Sequence, residues 1–291
     1  MLIDTHAHVN FKAFENDAQE VIERALNANV TIINVGTQID TSKKAVKLAE
    51  QNKELFAVIG LHPVHTYPQH LDEEESSFNT REEEFNTLEY ESLAKSPKVV
   101  GIGECGLDYY RLPEVLSNEL RVKKEIKQMQ KVAFVAQIQL AKELNKALVI
   151  HCRPSVNTQD AYEDILQILD QEFGKSKISN PNSQIRFEIH SFTGSPEIVQ
   201  EFLKRGAYVG LNGIITFDRS GNMEKVINVL PMERIVLETD CPYLTPVPHR
   251  GKKNEPAYVR FVAEHVARLK GLNIEEVKMQ TTKNTQALFV F

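Results

Sequence analysis

Leu2-Ile3-Asp4-Thr5-His6-Ala7-His8 decides how this chain is read: a short apolar run passes directly into two histidines two residues apart. On an extended segment, residues i and i+2 lie on one side, so His6 and His8 can grip one ion together. The tripeptide alone says little. Its weight comes from later runs of the same form, each followed by a residue that binds metals. Glu104 follows residues 99–103, His151 follows 147–150, His190 follows 186–189, and Asp240 comes after 235–237.

Working outward, eight β-branched runs suggest strands at 2–4, 31–35, 55–59, 99–103, 147–150, 186–189, 207–211 and 235–237. Helical patterns lie between them at 17–28, 42–52, 119–144, 161–173, 196–205 and 223–230, with two more at 255–270 and 274–288. Ser195-Pro196 with Glu197 marks one helix start, and Gly206 marks its stop. Regular alternation of strand and helix implies parallel strands joined by crossover helices. Eight repeats predict an α/β fold of the closed (β/α)8 TIM type; an open doubly wound sheet is the alternative. The active site of such a barrel gathers at the C-terminal ends of the strands, where the candidate ligands fall. No repeat or linker divides the chain, so the reading is one domain over 1–291, with an acidic insertion at about 67–96.

The net charge of −6 argues at first against a nucleic-acid partner. The acidity is local, however. Residues 70–95 hold nine acids against Arg81 and Lys95, which leaves the rest of the chain at +1. The plain reading of that segment is a solvated insertion. The N-terminus lacks the pattern of a signal peptide and no apolar run approaches ~20 residues, so the expectation is a cytoplasmic protein with no membrane contact. Cys105, Cys152 and Cys241 each directly follow a candidate ligand. Neighbours on a strand face opposite sides, so these thiols are read as reduced packing residues.

His6, His8, Glu104, His151, His190 and Asp240 exceed what one tetrahedral ion needs. Two divalent ions are the natural reading, with Glu104 able to bridge them; the donors suit Zn, Mn or Fe, and carboxylates with water also permit Mg. Plainer roles exist for each residue: His151 as a strand histidine bonded to backbone, Asp240 as a helix cap before Cys241-Pro242. His62, in Gly60-Leu61-His62-Pro63, is read as lining the pocket with His65 near it, whereas His70, His249 and His265 read as surface residues.

At this point the chain resembles the TatD family of metal-dependent hydrolases, the deoxyribonuclease branch of the amidohydrolase-like barrels. The resemblance runs through ordered motifs: Ile3-Asp4-Thr5-His6-Ala7-His8, Gly60-Leu61-His62-Pro63 and Gly103-Glu104-Cys105-Gly106-Leu107-Asp108-Tyr109-Tyr110. His151-Cys152-Arg153, His190-Ser191-Phe192-Thr193-Gly194, Glu238-Thr239-Asp240-Cys241-Pro242-Tyr243-Leu244 and Arg250-Gly251-Lys252-Lys253-Asn254-Glu255-Pro256 complete it. It implies one metal held by His6, His8, Glu104 and Asp240 and a second held by Glu104, His151 and His190. It also implies metal-dependent hydrolysis of nucleic-acid phosphodiesters, commonly as a 3′→5′ exonuclease on DNA. The chain departs from the family at Val64, where a second histidine often stands, at Pro154, and in the length of the acidic segment.

On this reading Glu104 and Asp240 are the catalytic carboxylates, Glu104 holding the ions and Asp240 acting as general base. Arg153, Arg250, Lys252 and Lys253 are candidates to offset phosphate charge, and Tyr109 or Tyr110 to stack on bases. The near-neutral body of the chain fits end-directed binding of single-stranded or frayed DNA, with no obligate protein partner. Two alternatives stand beside it. One keeps the barrel and metals but hydrolyses an amide or ester, including an aminoacyl ester on tRNA; the other is a non-catalytic scaffold whose acidic segment binds a partner.

Overall fold

The computed structural model describes residues 1–73, 76–112, 119–174 and 186–291. Eight parallel strands form one sheet in the order β1 (Leu2–Ala7), β2 (Val30–Val35), β3 (Leu55–Ile59), β6 (Val99–Asp108), β7 (Ala147–Arg153), β8 (Phe187–Ile189), β9 (Tyr208–Leu211) and β10 (Ile235–Leu237). The two edges of that sheet meet. Ala7 bridges Cys241, the His8 N–H donates to the Cys241 carbonyl at 2.9 Å, and the Asp240 N–H donates to the His6 carbonyl at 2.8 Å. The expected (β/α)8 barrel is therefore the observed fold.

Its helices lie outside: α1 (Ala18–Asn27), α2 (Ile39–Gln51), α3 (Thr87–Leu93), α4 (Glu119–Leu144), α5 (Asp160–Phe173), α6 (Pro196–Lys204), α7 (Asn222–Val229), α8 (Val259–Lys270) and α9 (Ile274–Phe289). The predicted cap of α6 is present, with the Ser195 Oγ accepting from the Ile198 N–H at 3.3 Å. Helix α2 starts three residues earlier than its apolar pattern indicates, because Gln38 and Thr41 form a reciprocal capping pair. None of the described helices is long and apolar enough to cross a membrane.

Two apolar layers hold the barrel. The larger packs strands against helices. The smaller fills the interior from Ile3, Ile33, Val58, Val100, Val149 and Val236, and Leu288 and Phe289 of α9 close it from below. The C-terminal mouth is left to polar residues. Helix α4 steadies that end through two glutamines seven residues apart on one face. Gln130 bonds the Asp108 N–H and carbonyl, both at 3.0 Å, while Gln137 bonds the Leu61 N–H at 2.8 Å and its carbonyl at 2.9 Å.

Two features differ from the sequence reading. Strands β1, β6 and β7 run beyond their apolar cores, so His6, Glu104 and His151 lie within strands rather than after them. The register breaks between Asp4 and Ala7 and between Ile102 and Cys105, where His6 and Glu104 stand, and pairing resumes beyond, with Cys105 to Asp108 against Ile150 to Arg153. The acidic segment is more than a solvated insertion. It contains a hairpin, β4 (His70–Glu73) with β5 (Ser76–Asn79), and then α3, whose Tyr90 is buried with its hydroxyl donating to the Gly60 carbonyl at 3.1 Å. Helix α3 is thus the ordinary crossover between β3 and β6, and the added part is the hairpin. Glu74 and Glu75 lie outside the described residues.

The seam between β1 and β10 depends on buried Asp4. Its Oδ1 accepts from the Thr239 N–H at 2.8 Å and the His6 N–H at 3.3 Å, and its Oδ2 accepts from the Thr239 hydroxyl at 2.6 Å. Asp4→Ala leaves two buried N–H donors unpaired and should cost about 3 kcal/mol or more. An unchanged denaturant midpoint in that variant would contradict the seam's role.

Candidate metal centre

At the C-terminal mouth, the Glu104 carboxylate stands between two groups of histidines. Its Oε2 lies 3.3 Å from His6 Nε2 and 3.7 Å from His8 Nε2. Its Oε1 lies 2.9 Å from His151 Nδ1, 3.3 Å from His62 Nε2 and 3.8 Å from His190 Nε2. Asp240 closes the ring, with Oδ1 at 3.4 Å from His8 Nε2 and Oδ2 at 3.9 Å from His190 Nε2. All six residues expected as ligands are thereby brought together.

Local backbone explains how Glu104 arrives there. Gly103 precedes it at φ 147°, and a Cβ on Gly103 would fall 2.5 Å from the Val149 carbonyl oxygen of β7. Only glycine lets β6 approach β7 that closely while turning the next side chain inward. Asp240 adopts φ 56°, a left-handed conformation that aspartate tolerates better than most residues. Its carbonyl accepts from the Tyr243 N–H at 2.9 Å, which holds the bend.

The donor set fits divalent cations, and the hydrogen bonds on the far side of each ring show why. His8 Nδ1 lies 2.9 Å from the Val35 carbonyl, which can only accept, so Nδ1 carries the proton and Nε2 presents its lone pair to the cluster. His190 Nδ1 is held by Glu238 at 2.9 Å, and His151 Nε2 by Asp108 at 3.1 Å. A carboxylate or carbonyl behind an imidazole is the usual support of a metal-ligating histidine. Charge points the same way. Burial opposes ionisation of Glu104, yet the surrounding histidines, His62 and His6 foremost, hold it well below the usual carboxylate range. Burial likewise opposes a charge on His190, but the carboxylates of Glu238 and Asp240 outweigh it and push that histidine up to about 10.

His62 differs from the other rings. Its Nδ1 accepts from the Val64 N–H at 3.2 Å, so the neutral ring carries its proton on Nε2 and donates toward Glu104. Burial lowers it to about 4, which keeps it neutral near pH 7. Although His62, Glu104 and His151 are close enough to hold an ion, this tautomer suits a donor beside the cluster.

The other candidates scatter. A cavity of about 620 Å³ opens over the cluster; His62, His65, Tyr110 and Arg153 line it. Arg153 places its guanidinium 3.9 Å over the half-exposed Tyr110 ring, whereas Tyr109 is buried with its hydroxyl donating to Asp164 at 2.7 Å. Arg250 is not among the cavity's lining residues: it stacks over Phe217 at 4.1 Å and donates to the Thr245 carbonyl at 3.1 Å. Lys253 bonds Asp17 at 2.8 Å. His249 stacks on Tyr258, while His70 and His265 are bonded to Asn79 and Arg268. The three cysteines are buried and unpaired. Asp4, Asp108 and Glu238 were not singled out from sequence. A signal was present: each shares strand parity with a ligand, two residues before His6, four after Glu104 and two before Asp240.

A parallel barrel carrying a histidine–carboxylate cluster at its C-terminal mouth defines a metal-dependent hydrolase. The sequence profile of the family described as TatD related DNase matches residues 3–290, and the chain belongs to that family. It is 37% identical to the metal-dependent hydrolase YabD of Bacillus subtilis (strain 168), covering 99% of both chains. It is 30% identical to the 3'-5' ssDNA/RNA exonuclease TatD of Shigella flexneri serotype 5b, covering 99% of this chain and 98% of the relative. Among solved structures, the TatD homologue YjjV from Escherichia coli K12 superposes with a TM-score of 0.78 at 24% identity, covering 100% of this chain and 98% of that one.

Protons occupy the cluster wherever cations do not, which yields a measurable consequence. If His190, raised to about 10, and His151, also raised, ligate a cation near pH 7, they give up protons to do so. Titrating metal-free protein with Zn or Mn in buffers of different ionisation enthalpy should therefore show at least one proton released per chain. A heat of binding independent of the buffer would contradict this assignment.

Proposed function

We propose that the chain is a cytoplasmic 3′→5′ exonuclease that hydrolyses phosphodiester bonds of single-stranded or frayed DNA with two divalent ions, Zn, Mn or Mg. One observation carries the two-ion part of this reading: each oxygen of Glu104 faces a different histidine group, Oε2 toward His6 and His8 and Oε1 toward His151. A carboxylate so placed can be shared between two ions. His6, His8, Glu104 and Asp240 would hold one, and Glu104, His151 and His190 the other. The nucleic-acid substrate is supported by family membership and by the relatives named as exonucleases.

Bound there, divalent ions would activate water and offset charge on the scissile phosphate. The protein's own groups do the rest. Asp240 is the general base: its Oδ2 lies 3.9 Å from His190 Nε2 and its side chain retains 15% exposure, so it can accept a proton from an attacking water. Asp108 and Glu238 hold the rings of His151 and His190 in fixed orientations. His62, whose Nε2 proton points toward Glu104, helps to orient that carboxylate at the rim of the cluster. Arg153, stacked on Tyr110, supplies positive charge on the cavity wall where a phosphate would pass.

Hydrolysis of 5′-labelled single-stranded DNA by metal-reconstituted protein tests the reading. A ladder shortening from the 3′ end is expected, and Asp240→Asn should slow it by about 10²–10⁴-fold. Turnover of aminoacyl esters or amides with intact DNA would replace the nuclease reading by the ester or amide one.

A further inference from the structure

We infer that the β4–β5 hairpin is the nucleobase wall of this site, with Leu71 and Phe78 packing against the unpaired terminal base of the strand being cut. This rests on the nuclease reading and adds which side of the cavity takes the base. Leu71 and Phe78 are direct cross-strand partners, and both line the same cavity as Glu104. Partners across a hairpin share a face, so the two apolar side chains form one platform. The platform is close to the chemistry. The Phe78 ring lies 5.9 Å from that of His65, and His65 lies 6.4 Å from His62, whose Nε2 is 3.3 Å from Glu104. Two rings, His65 and His62, lead from Phe78 to Glu104, so a base carried by a phosphate at the cluster would fall beside the platform.

The wall is fixed before any ligand arrives. Thr80 ties the base of the hairpin: its Oγ1 accepts from the Gln69 N–H at 2.7 Å and donates to the Tyr67 carbonyl at 2.6 Å. The Glu83 N–H donates to the His65 carbonyl at 3.0 Å, and Arg81 bonds Asp40 of α2 at 2.9 Å. A preformed apolar surface is what stacking requires, and stacking accepts any base because every base has a π face. Arg153, stacked on Tyr110 in the lining of the same cavity, offers positive charge to the phosphate backbone of the strand. A base held in a duplex cannot reach Leu71 and Phe78 without unpairing.

The test compares two single-stranded oligonucleotides, identical except that one lacks the base of the terminal nucleotide at the cleaved end. Loss of one base stack corresponds to about a tenfold preference in kcat/KM for the intact strand, expressed mainly in KM. Wild-type protein should show that preference, Leu71→Ala/Phe78→Ala should lose it, and Phe78→Trp should keep it. Because the readout is a ratio within one protein, a general loss of stability cancels. A double variant that retains the preference, or wild-type protein that shows none, overturns the inference and leaves the nuclease reading standing. Wild-type protein that cleaves neither strand but hydrolyses bis(p-nitrophenyl) phosphate overturns both.

Discussion

The junction of the first and last barrel strands is the constraint on which the rest of this structure depends. His6 and His8 stand on one edge of the sheet and Asp240 on the other, and they form one cluster only because the edges are locked in register. Asp4 does the locking, through the backbone and hydroxyl of Thr239 on one side and the His6 N–H on the other. Two backbone bonds around Ala7 and Cys241 continue it to the mouth. A slip of one residue would turn every second side chain to the wrong face and separate the histidines from Asp240. Stability and chemistry are therefore coupled at this seam.

Glu104 comes from the opposite side of the barrel and meets that seam in the centre of the mouth. The supporting acids are as important as the donors. Asp108, Glu238 and the Val35 carbonyl each occupy the ring nitrogen that faces away from the cluster, which leaves the inward nitrogens of His151, His190 and His8 available. His62 is wired the other way, with its Nδ1 as acceptor, so four neighbouring imidazoles are divided between two roles by their hydrogen-bond partners.

Much of this was legible in the chain because the barrel writes its site into strand ends. A β-branched run followed by His or Glu is a local signal, and its repetition along the sequence marked the fold and the six candidate donors together. The supporting acids were not marked, because Asp4 and Glu238 lie in segments that read as ordinary strand or turn. Only the fold brings Glu238 of one strand behind His190 of another. The hairpin was missed for a different reason. Its run of acids dominates the composition of residues 70–95, while the two apolar residues that matter, Leu71 and Phe78, flank that run singly and gain meaning only when the register pairs them. Arg250, in a basic loop of a family motif, packs its guanidinium over Phe217 and donates to the Thr245 carbonyl.

The most direct measurement of the central claim counts the divalent ions bound per chain in wild-type protein and in Glu104→Gln. If Glu104 is shared between two ions, wild-type protein binds two and the single substitution weakens both sites together. One ion in the wild type, or a variant that loses one ion and keeps the other at full affinity, would contradict the account.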